Sequence, residues 1–342
     1  DLPKLPFDKT RLDTLEMYPF KELIKAGAPA VMVAHMNIPV LDDTPNMPSS
    51  ISKKVVTDLL RNELGFKGLT VTDAMDMKGV KKFFPNGEAD VQAIIAGHDL
   101  LEVSENSKRA IDLILKAIEE GRISQVDIDA RVKRVLAAKL WLGLDKYQAT
   151  PQQNLYADLH RASAVQLIDE LSNAAITALN STEKLKSFKK DLPTAIINVG
   201  VAANQTFQNE LAAGLTNETQ YFVPDSLSKD DMKRLVKEIK KNKQYIIAVH
   251  DTRLRPRPTM QLNENVQDLM KKFAKKSILT LFTNVYALDG VEASKKAKTI
   301  LLAYQNDAFM QKAAAKTILG QNVPKGKLPV TINKKFKYGQ GK

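Results

Sequence analysis

The amino-acid sequence predicts an α/β protein made of two consecutive domains, each built on parallel strands. Short apolar segments of strand length alternate with segments of helical periodicity through most of the 342 residues. A polar stretch that follows Asp145 divides this alternation into two series. Because a helix between two strands returns the chain to the same end of the sheet, both series predict parallel strands.

The first series occupies residues 1–145 and contains three predicted strands. These are Ala30–Val33, Leu69–Thr72 and Asp99–Leu101. Predicted helices lie at residues 52–64, 90–96, 107–120 and 126–142. Three strands cannot close a barrel, and an eight-stranded β/α barrel needs about 250 residues. We therefore expect residues 1–145 to form the C-terminal part of a TIM (β/α)8 barrel. The expected partner of this part is the N-terminal half of the barrel, which would belong to the same polypeptide.

The second series begins after a linker and connecting helix at residues 146–190, where the helix is predicted to end near Leu179. Residues 191–342 contain five predicted strands, at 194–199, 220–223, 244–249, 277–282 and 299–302. Predicted helices lie near residues 207–215, 229–241, 266–275 and 309–319. This pattern is typical of a flavodoxin-like α/β sandwich domain. The turn at residues 200–203 lacks a glycine-rich phosphate motif, which disfavours a nucleotide- or flavin-binding module.

Composition excludes several classes of function. The chain has no cysteine, so disulfides and thiolate chemistry are absent, and its four histidines show no metal-ligand spacing. We expect no metal and no organic cofactor. No apolar run reaches the length of a membrane span, and no nucleic-acid-binding motif is present. The net charge of +12 indicates either a solvated basic face, for example Lys233 to Lys243, or attraction to an acidic polymer.

Asp73 is the candidate catalytic residue. It directly follows the strand residues Thr70 to Thr72, and reactive residues of β/α barrels lie where strands end. A carboxylate there is held by the strand and can reach a substrate, as covalent attack on a sugar requires. An Asp between a strand and a helix can equally be a helix cap. The residues alone leave both interpretations open.

The segments around Asp73 resemble glycoside hydrolase family 3. The stretch Gly65-Phe66-x-Gly68-Leu69-x-Val71-Thr72-Asp73-x-Met75-x-Met77 is similar to the family's nucleophile signature. Five further segments resemble family motifs in the expected order: Ala34-His35-x-x-x-Pro39 with Pro48-Ser49-Ser50-x-Ser52, Leu59-Leu60-Arg61-x-x-Leu64, Ala96-Gly97-x-Asp99, Ile128 to Leu136 followed by Leu142-Gly143-Leu144, and Gly326 to Thr331. The resemblance covers almost the whole chain.

This resemblance implies a retaining glycosidase in which Asp73 is the nucleophile. In the family's β-N-acetylglucosaminidase branch, a loop carries a His–Asp acid/base pair. The opening Asp1-Leu2-Pro3-x-Leu5-Pro6 is similar to the residues that directly follow this loop. The implied reaction releases terminal β-linked N-acetylglucosamine from peptidoglycan fragments or related glycans. A cell-wall substrate and the net positive charge favour an exported location, the periplasm or cell envelope, over the cytoplasm. The alternatives are a β-glucosidase or β-xylosidase of the same family, or a non-catalytic carbohydrate-binding derivative.

Other residues have secondary roles in this hypothesis. His35 and Met36, after the first strand, are the candidate substrate-binding residues; the alternative for His35 is a structural hydrogen bond beneath the site. Asp76 is expected on a helix surface, and Asp99 as an anchor for the loop after the third strand. Met75 and Met77 are expected in the core, with contact to the sugar pocket as the alternative for Met77. A second cluster ends a strand of the second domain and could contact an anionic part of a substrate: His250, Asp251, Arg253, Arg255 and Arg257.

Overall fold

The computed structural model describes residues 2–253 and 260–341. The chain divides into two compact units, Asp1–Thr150 and Pro151–Lys342, here called the first and second units. Both units combine helices with parallel strands, so the α/β class expected from the sequence is confirmed. None of the helices in these residues combines the length and apolarity needed to cross a bilayer.

The first unit contains a short parallel sheet. Strands β1 (Ala30–Val33) and β2 (Leu69–Thr72) pair in register, with Ala30 beside Leu69 and Val33 beside Thr72. The third strand predicted at residues 99–101 is wrong as a full strand, because only the bridge between Val71 and Leu100 forms. The backbone soon turns away, and Val103 adopts a positive φ of 47°.

Helices follow each strand of the first unit, close to the predicted positions. One helix, Lys54–Glu63, is wound more widely than an α-helix, with a hydrogen bond of 2.9 Å from Leu64 N to Leu59 O. The α-helices are α1 (Lys9–Arg11), α2 (Tyr18–Lys25), α3 (Lys78–Lys81), α4 (Glu88–Ala96), α5 (Ser107–Glu119) and α6 (Gln125–Trp141). Shorter helical segments are Leu12–Glu16, Ser49–Ile51 and Leu144–Lys146.

The core of the first unit is small and centres on α4. One face of α4 packs with Ile51, Met75 and Val80, and the other packs with Ala117 and Ile123. By contrast, α2 and α6 contain no buried residue, and their exposed apolar side chains include Leu23 and Leu140. Much of the apolar surface of these helices is therefore left in contact with solvent.

The second unit is built on one six-stranded sheet. Its strands are β3 (Thr177–Asn180), β4 (Thr194–Val199), β5 (Glu218–Val223), β6 (Gln244–His250), β7 (Ser277–Phe282) and β8 (Thr299–Leu302). The spatial order is β3-β8-β7-β6-β4-β5, in which β3 is antiparallel to β8 and all other pairs are parallel. The five strands expected from the sequence are thus present.

Strand β3 was not predicted, because the connecting helix was expected to reach Leu179. The helix ends at Ala175, and residues Thr177–Asn180 pair with β8, more than a hundred residues away. The segment is buried and apolar, with Ile176 and Ala178 both fully enclosed. A short apolar run next to a helix has no periodicity that distinguishes strand from helix, so the distant partner decides its conformation.

Helices cover both faces of this sheet. They are α7 (Leu155–Leu159), α8 (Ala162–Ala175), α9 (Glu183–Lys186), α10 (Thr206–Gly214), α11 (Lys229–Ile239), α12 (Glu264–Ala274) and α13 (Ala308–Ile318), with short segments Val285–Asp289 and Glu292–Lys295. One face packs against α11 and α12 through residues such as Val236 and Phe273, and the other against α10 and α13 through Leu211 and Ala314. The parallel strands are therefore buried on both sides, as is usual for such sheets.

Candidate functional site

Asp73 lies immediately after β2 and is half-buried. Its backbone N–H donates to Val33 O at 3.1 Å, which extends the β1–β2 ladder by one residue. Its carboxylate accepts the N–H of Ala74 at 2.8 Å. The next helix, α3, starts only at Lys78 and is preceded by Met77, so Asp73 does not cap it. The helix-cap interpretation is therefore wrong.

The turn after Asp73 is held by hydrogen bonds from two directions. Met75 N donates to Glu102 O at 2.9 Å, and His35 Nε2 lies 2.9 Å from Ala74 O. Since a carbonyl only accepts, His35 Nε2 carries the proton, and His35 Nδ1 accepts the Ser50 hydroxyl at 2.5 Å. His35 is 4% exposed, so both ring nitrogens are committed to the protein. Its geometry is that of a residue that positions the turn beside Asp73.

Met36 is half-buried and lies in the loop after β1. Its N–H donates to Ser49 Oγ at 3.1 Å and its carbonyl accepts Ser49 N–H at 2.7 Å. Ser49 Oγ also donates to Ala34 O at 2.6 Å. The backbone after β1 is thus hydrogen bonded to the Pro48–Ser52 segment. Substrate binding by the Met36 side chain stays a prediction.

Asp99 forms the centre of an ion-pair network below β2. Its side chain is fully buried and accepts hydrogen bonds from Arg61 at 2.5 Å, Arg134 at 2.7 and 2.9 Å, and Thr70 N–H at 2.9 Å. Burial alone would raise the pKa of Asp99, but the bonds from Arg134 and Thr70 and the charge of Arg61 outweigh it and lower that pKa. This anchor joins the Lys54–Glu63 helix, β2 and α6.

Comparison with known proteins identifies the family. The model of the glycosyl hydrolase family 3 N-terminal domain matches residues 1–138, and that of the family's C-terminal domain matches residues 88–340. The chain belongs to glycosyl hydrolase family 3. The resemblance inferred from the motifs around Asp73 is thereby confirmed.

The chain is similar to family 3 proteins with two kinds of name. It is 30% identical to beta-hexosaminidase A of Pseudoalteromonas piscicida over 202 residues, which are 53% of this chain and 33% of that protein. It is 25% identical to the probable beta-glucosidase C of Aspergillus flavus over 343 residues, which are 92% of this chain and 49% of that protein.

A solved structure of a family 3 beta-N-acetylglucosaminidase from Paenibacillus sp. is 27% identical. It superposes on 97% of this chain with a TM-score of 0.73, and the chain covers 64% of it. The chain therefore spans between about a third and two thirds of the length of these three relatives.

Of three residues near Asp73 in this family 3 chain, one agrees with the expectation from the sequence and two differ from it. Met75 is 2% exposed and packs in the core as expected, whereas Met77 is 45% exposed, so its predicted core position is wrong. Asp76 is exposed, but it lies in the turn before α3, and the helix predicted there is absent. Backbone groups of this turn bond to Val33 O, to Glu102 O and to the His35 ring, so no helix is needed to satisfy them.

Two buried polar residues beside the site were missed in the sequence. His98 is fully buried, its Nε2 lies 2.7 Å from Ser50 O, and burial lowers its pKa to about 4. Asp90 is 4% exposed and accepts the Ser104 hydroxyl at 2.6 Å, while burial raises its pKa. Ser50 links His98 to His35, so its backbone and side chain both support the turn at Asp73. His98 lies within the Ala96-Gly97-x-Asp99 segment that resembles a family motif, which was the available signal.

The cluster at the end of β6 lies in the second unit. His250 is 1% exposed, its Nδ1 lies 2.7 Å from Asn306 Oδ1 and its Nε2 lies 3.0 Å from Gln208 Nε2, so its ring is structural. Asp251 accepts Arg253 at 2.7 Å beside a cavity of about 470 Å³. Arg255 and Arg257 lie outside the described residues. Contact of this cluster with an anionic substrate stays a prediction.

The described ranges 2–253 and 260–341 contain no group of three or more His, Asp or Glu side chains placed to hold a metal ion. The candidate site described above consists of Asp73 and the residues that fix its turn.

Proposed function

We propose that the protein is a retaining glycosidase that releases terminal β-linked N-acetylglucosamine, with Asp73 as the nucleophile. The observation that carries this proposal is the position of Asp73. It is half-buried at the carboxyl end of β2, and His35 and Glu102 fix the turn that follows. The beta-hexosaminidase and beta-N-acetylglucosaminidase names of two relatives support the choice of sugar. Peptidoglycan fragments are the proposed source of that sugar, and the cell envelope the proposed location.

In the proposed reaction, a carboxylate oxygen of Asp73 attacks the anomeric carbon as the bond to the leaving oxygen breaks. This forms a glycosyl-enzyme, which water then hydrolyses with net retention of configuration. The N–H of Ala74 helps to orient the carboxylate, because it binds one of its two oxygens. The resemblance assigns proton transfer to a His–Asp pair, whose histidine can donate and recover a proton near neutral pH.

We also propose that the first unit is the C-terminal part of a TIM barrel. The parallel pair β1–β2, the additional bridge at Leu100, and the exposed apolar faces of α2 and α6 support this. Further β/α units of the same polypeptide would pair with β1 and cover apolar residues such as Met32, which is 55% exposed. In the second unit, the parallel strands have the relative order 2-1-3-4-5, which supports a flavodoxin-like α/β sandwich domain.

Substitution of Asp73 tests the proposed nucleophile. Asp73→Asn keeps the hydrogen bond from Ala74 but removes the negative charge, so we expect turnover of an aryl N-acetylglucosaminide to fall at least about 1,000-fold. A fluorinated glycoside that accumulates the glycosyl-enzyme should add its mass to the wild-type protein, on a peptide that contains Asp73.

Asp76→Asn is the matched control, because it removes a carboxylate from the same turn at an exposed position. It should retain activity within about twofold, as expected of surface substitutions. Activity of Asp73→Asn equal to that of Asp76→Asn would refute the nucleophile. If the wild-type protein binds the sugar but neither turns over nor becomes labelled, the non-catalytic alternative is supported.

A β-glucosidase or β-xylosidase is the second candidate, because the chain also aligns over 92% of its length with a probable beta-glucosidase. A panel of aryl N-acetylglucosaminides, glucosides and xylosides compared by kcat/KM distinguishes the two. The proposed specificity requires the N-acetylglucosaminide to be preferred, whereas a preferred glucoside would overturn it and leave Asp73 as the nucleophile.

A further inference from the structure

The net positive charge of this protein lies in one of its two units. Residues 151–342 contain 30 Lys and Arg against 17 Asp and Glu, whereas residues 1–150 contain 21 against 22. The first unit is therefore almost neutral, and the second carries the whole excess. Such asymmetry between two parts of a chain indicates an electrostatic role for the basic part.

Within the second unit, lysines gather where the parallel strands begin. Lys190 precedes β4, Lys243 precedes β6, Lys276 precedes β7 and Lys298 precedes β8. Lys240 and Lys275 lie beside them, at the ends of α11 and α12. These six residues are called the lysine edge.

The pairing of the strands places the residues of the lysine edge next to one another. Lys243 N–H donates to Pro193 O at 2.8 Å, just before β4, and Thr216 N–H donates to Lys190 O at 3.1 Å. Strands β4, β6, β7 and β8 are consecutive neighbours, so their amino ends form one row. At about 4.8 Å per strand, this row is about 14 Å long.

The six ammonium groups are exposed and poorly balanced by acidic groups. None of the six has an ion-pair partner among residues 2–253 and 260–341. Of the acidic residues near the same strand and helix ends, Glu238 pairs with Lys241 and Glu292 pairs with Lys295, which leaves Glu183, Asp191 and Glu218. Clustered like charges destabilise the folded state, so an external anion would stabilise this edge.

Helix dipoles explain only part of the arrangement. Lys240 and Lys275 are the C-terminal caps of their helices, where a positive charge is favourable. Lys190, Lys243 and Lys298 lie at strand beginnings and gain nothing from a helix terminus. The row therefore requires another explanation.

We propose that the lysine edge docks the protein on an anionic lipid surface. Its charges come from two layers, the strand ends and the helix ends, and so spread in two dimensions, as a flat array of headgroups would require. Lysine ammonium groups are point charges suited to diffuse attraction, without the paired geometry of arginine. No described residue in these segments is an exposed aromatic on which nucleic-acid bases could stack.

Vesicle binding by the purified protein tests this proposal without depending on Asp73 or on any catalytic activity. Vesicles of phosphatidylcholine with 30% phosphatidylglycerol are compared with pure phosphatidylcholine at about 150 mM salt, where charges are screened beyond about 8 Å. We expect the anionic vesicles to bind the protein and the neutral ones not to bind it. Each basic residue near an anionic membrane contributes about fivefold in affinity.

Two triple variants with equal net charge separate the lysine edge from overall charge. Lys243→Glu, Lys276→Glu and Lys298→Glu together should weaken binding about 100-fold or more. Lys229→Glu, Lys312→Glu and Lys325→Glu are the control, because these lysines precede no strand and have no ion pair among the described residues. The control should bind severalfold more weakly at most. The corresponding Lys→Gln variant of the edge serves if the Glu variant does not fold.

Three results would overturn the proposal. The first is equal binding of the wild-type protein to vesicles with and without phosphatidylglycerol. The second is an equal loss of vesicle affinity in the edge and control variants. The third is tighter binding to a soluble polyphosphate chain than to vesicles of the same phosphate concentration. The last result would instead assign the lysine edge to a linear polyanion. None of these outcomes depends on whether the Asp73→Asn variant loses activity.

Discussion

At the scale of single residues, the environment of Asp73 depends on His35, for which the sequence left two roles open, substrate binding or a structural hydrogen bond. His35 is buried and uses Nε2 to hold Ala74 O at 2.9 Å and Nδ1 to accept from Ser50. The turn that carries the carboxylate is therefore fixed from beneath. Positioning of a nucleophile is worth large factors in rate, because small displacements of reacting atoms are costly.

Replacement of His35 distinguishes positioning from substrate binding. For His35→Ala we expect kcat to fall about tenfold or more with KM changed less than about twofold, because the turn loses its bond to Ala74 O. His35→Gln can donate an amide N–H to the same carbonyl and should recover part of kcat. If KM rises while kcat is unchanged, the substrate-binding role predicted from the sequence is correct.

Two buried histidines make stability depend on pH. Burial lowers the pKa of both His98 and His250 to about 4, from an ordinary value near 6.5. Between these two pH values the unfolded chain binds protons that the folded chain does not. Their contribution is therefore intact above about pH 6.5 and is lost as the pH falls towards 4.

The predicted change can be measured for His250. From pH 7.5 to 5, its contribution to the free energy of unfolding should fall by about 2 kcal/mol. Gln at this position can hydrogen bond but cannot titrate. In urea unfolding, His250→Gln should thus lose about 2 kcal/mol less than the wild type over this range, and the same loss in both proteins would contradict the assignment.

At the scale of secondary-structure elements, Asp99 joins segments that are distant in the chain. Its carboxylate binds Arg61 of the Lys54–Glu63 helix, Thr70 of β2 and Arg134 of α6. Motifs that resemble separate family signatures therefore meet in one network. Since β2 ends at Asp73, this network also fixes the base of the candidate site.

Removal of the buried charge tests this role. Asp99→Asn leaves two arginines without their carboxylate, so we expect the free energy of unfolding to decrease by about 3–5 kcal/mol. Asp43→Asn removes an exposed carboxylate that pairs with Lys54 and should change stability by less than about 0.5 kcal/mol. Both are measured by urea denaturation, and a similar small effect of the two substitutions would contradict the anchor.

At the scale of the whole molecule, a fully exposed segment connects the two units. All residues from 143 to 160 are exposed, and the division between units falls at Thr150 and Pro151. Exposed polar connections without buried contacts are preferred sites of proteolysis. Lys146 offers trypsin a target within this segment.

Limited proteolysis should therefore cut early after Lys146. The expected products are one fragment that ends at Lys146 and one that begins at Tyr147, identified by mass spectrometry. Lys146→Gln should remove this first cleavage while leaving the folded state unchanged, since the side chain is exposed. Early cleavage within β4, β6 or β7 in place of the connection would contradict the division into units.

Sequence reasoning predicted most elements, because long amphipathic helices and buried strands have clear periodicity. The positions of β4, β7 and β8 agree residue by residue, and α5 and α6 agree within about one residue. It failed for β3 and for the segment at Asp99. A short apolar run has no internal period to separate strand from helix, and a partner remote in the chain determines whether it pairs.

The sequence by itself determined the α/β class, the family and the candidate nucleophile, since each depends on residue order and local periodicity. Only the tertiary structure showed that Asp73 caps no helix, that His35 supports its turn, and that Asp99 receives two arginines. It also showed that lysines dispersed over a hundred residues form one edge. These features depend on hydrogen bonds and strand register between distant segments, which local sequence patterns do not encode.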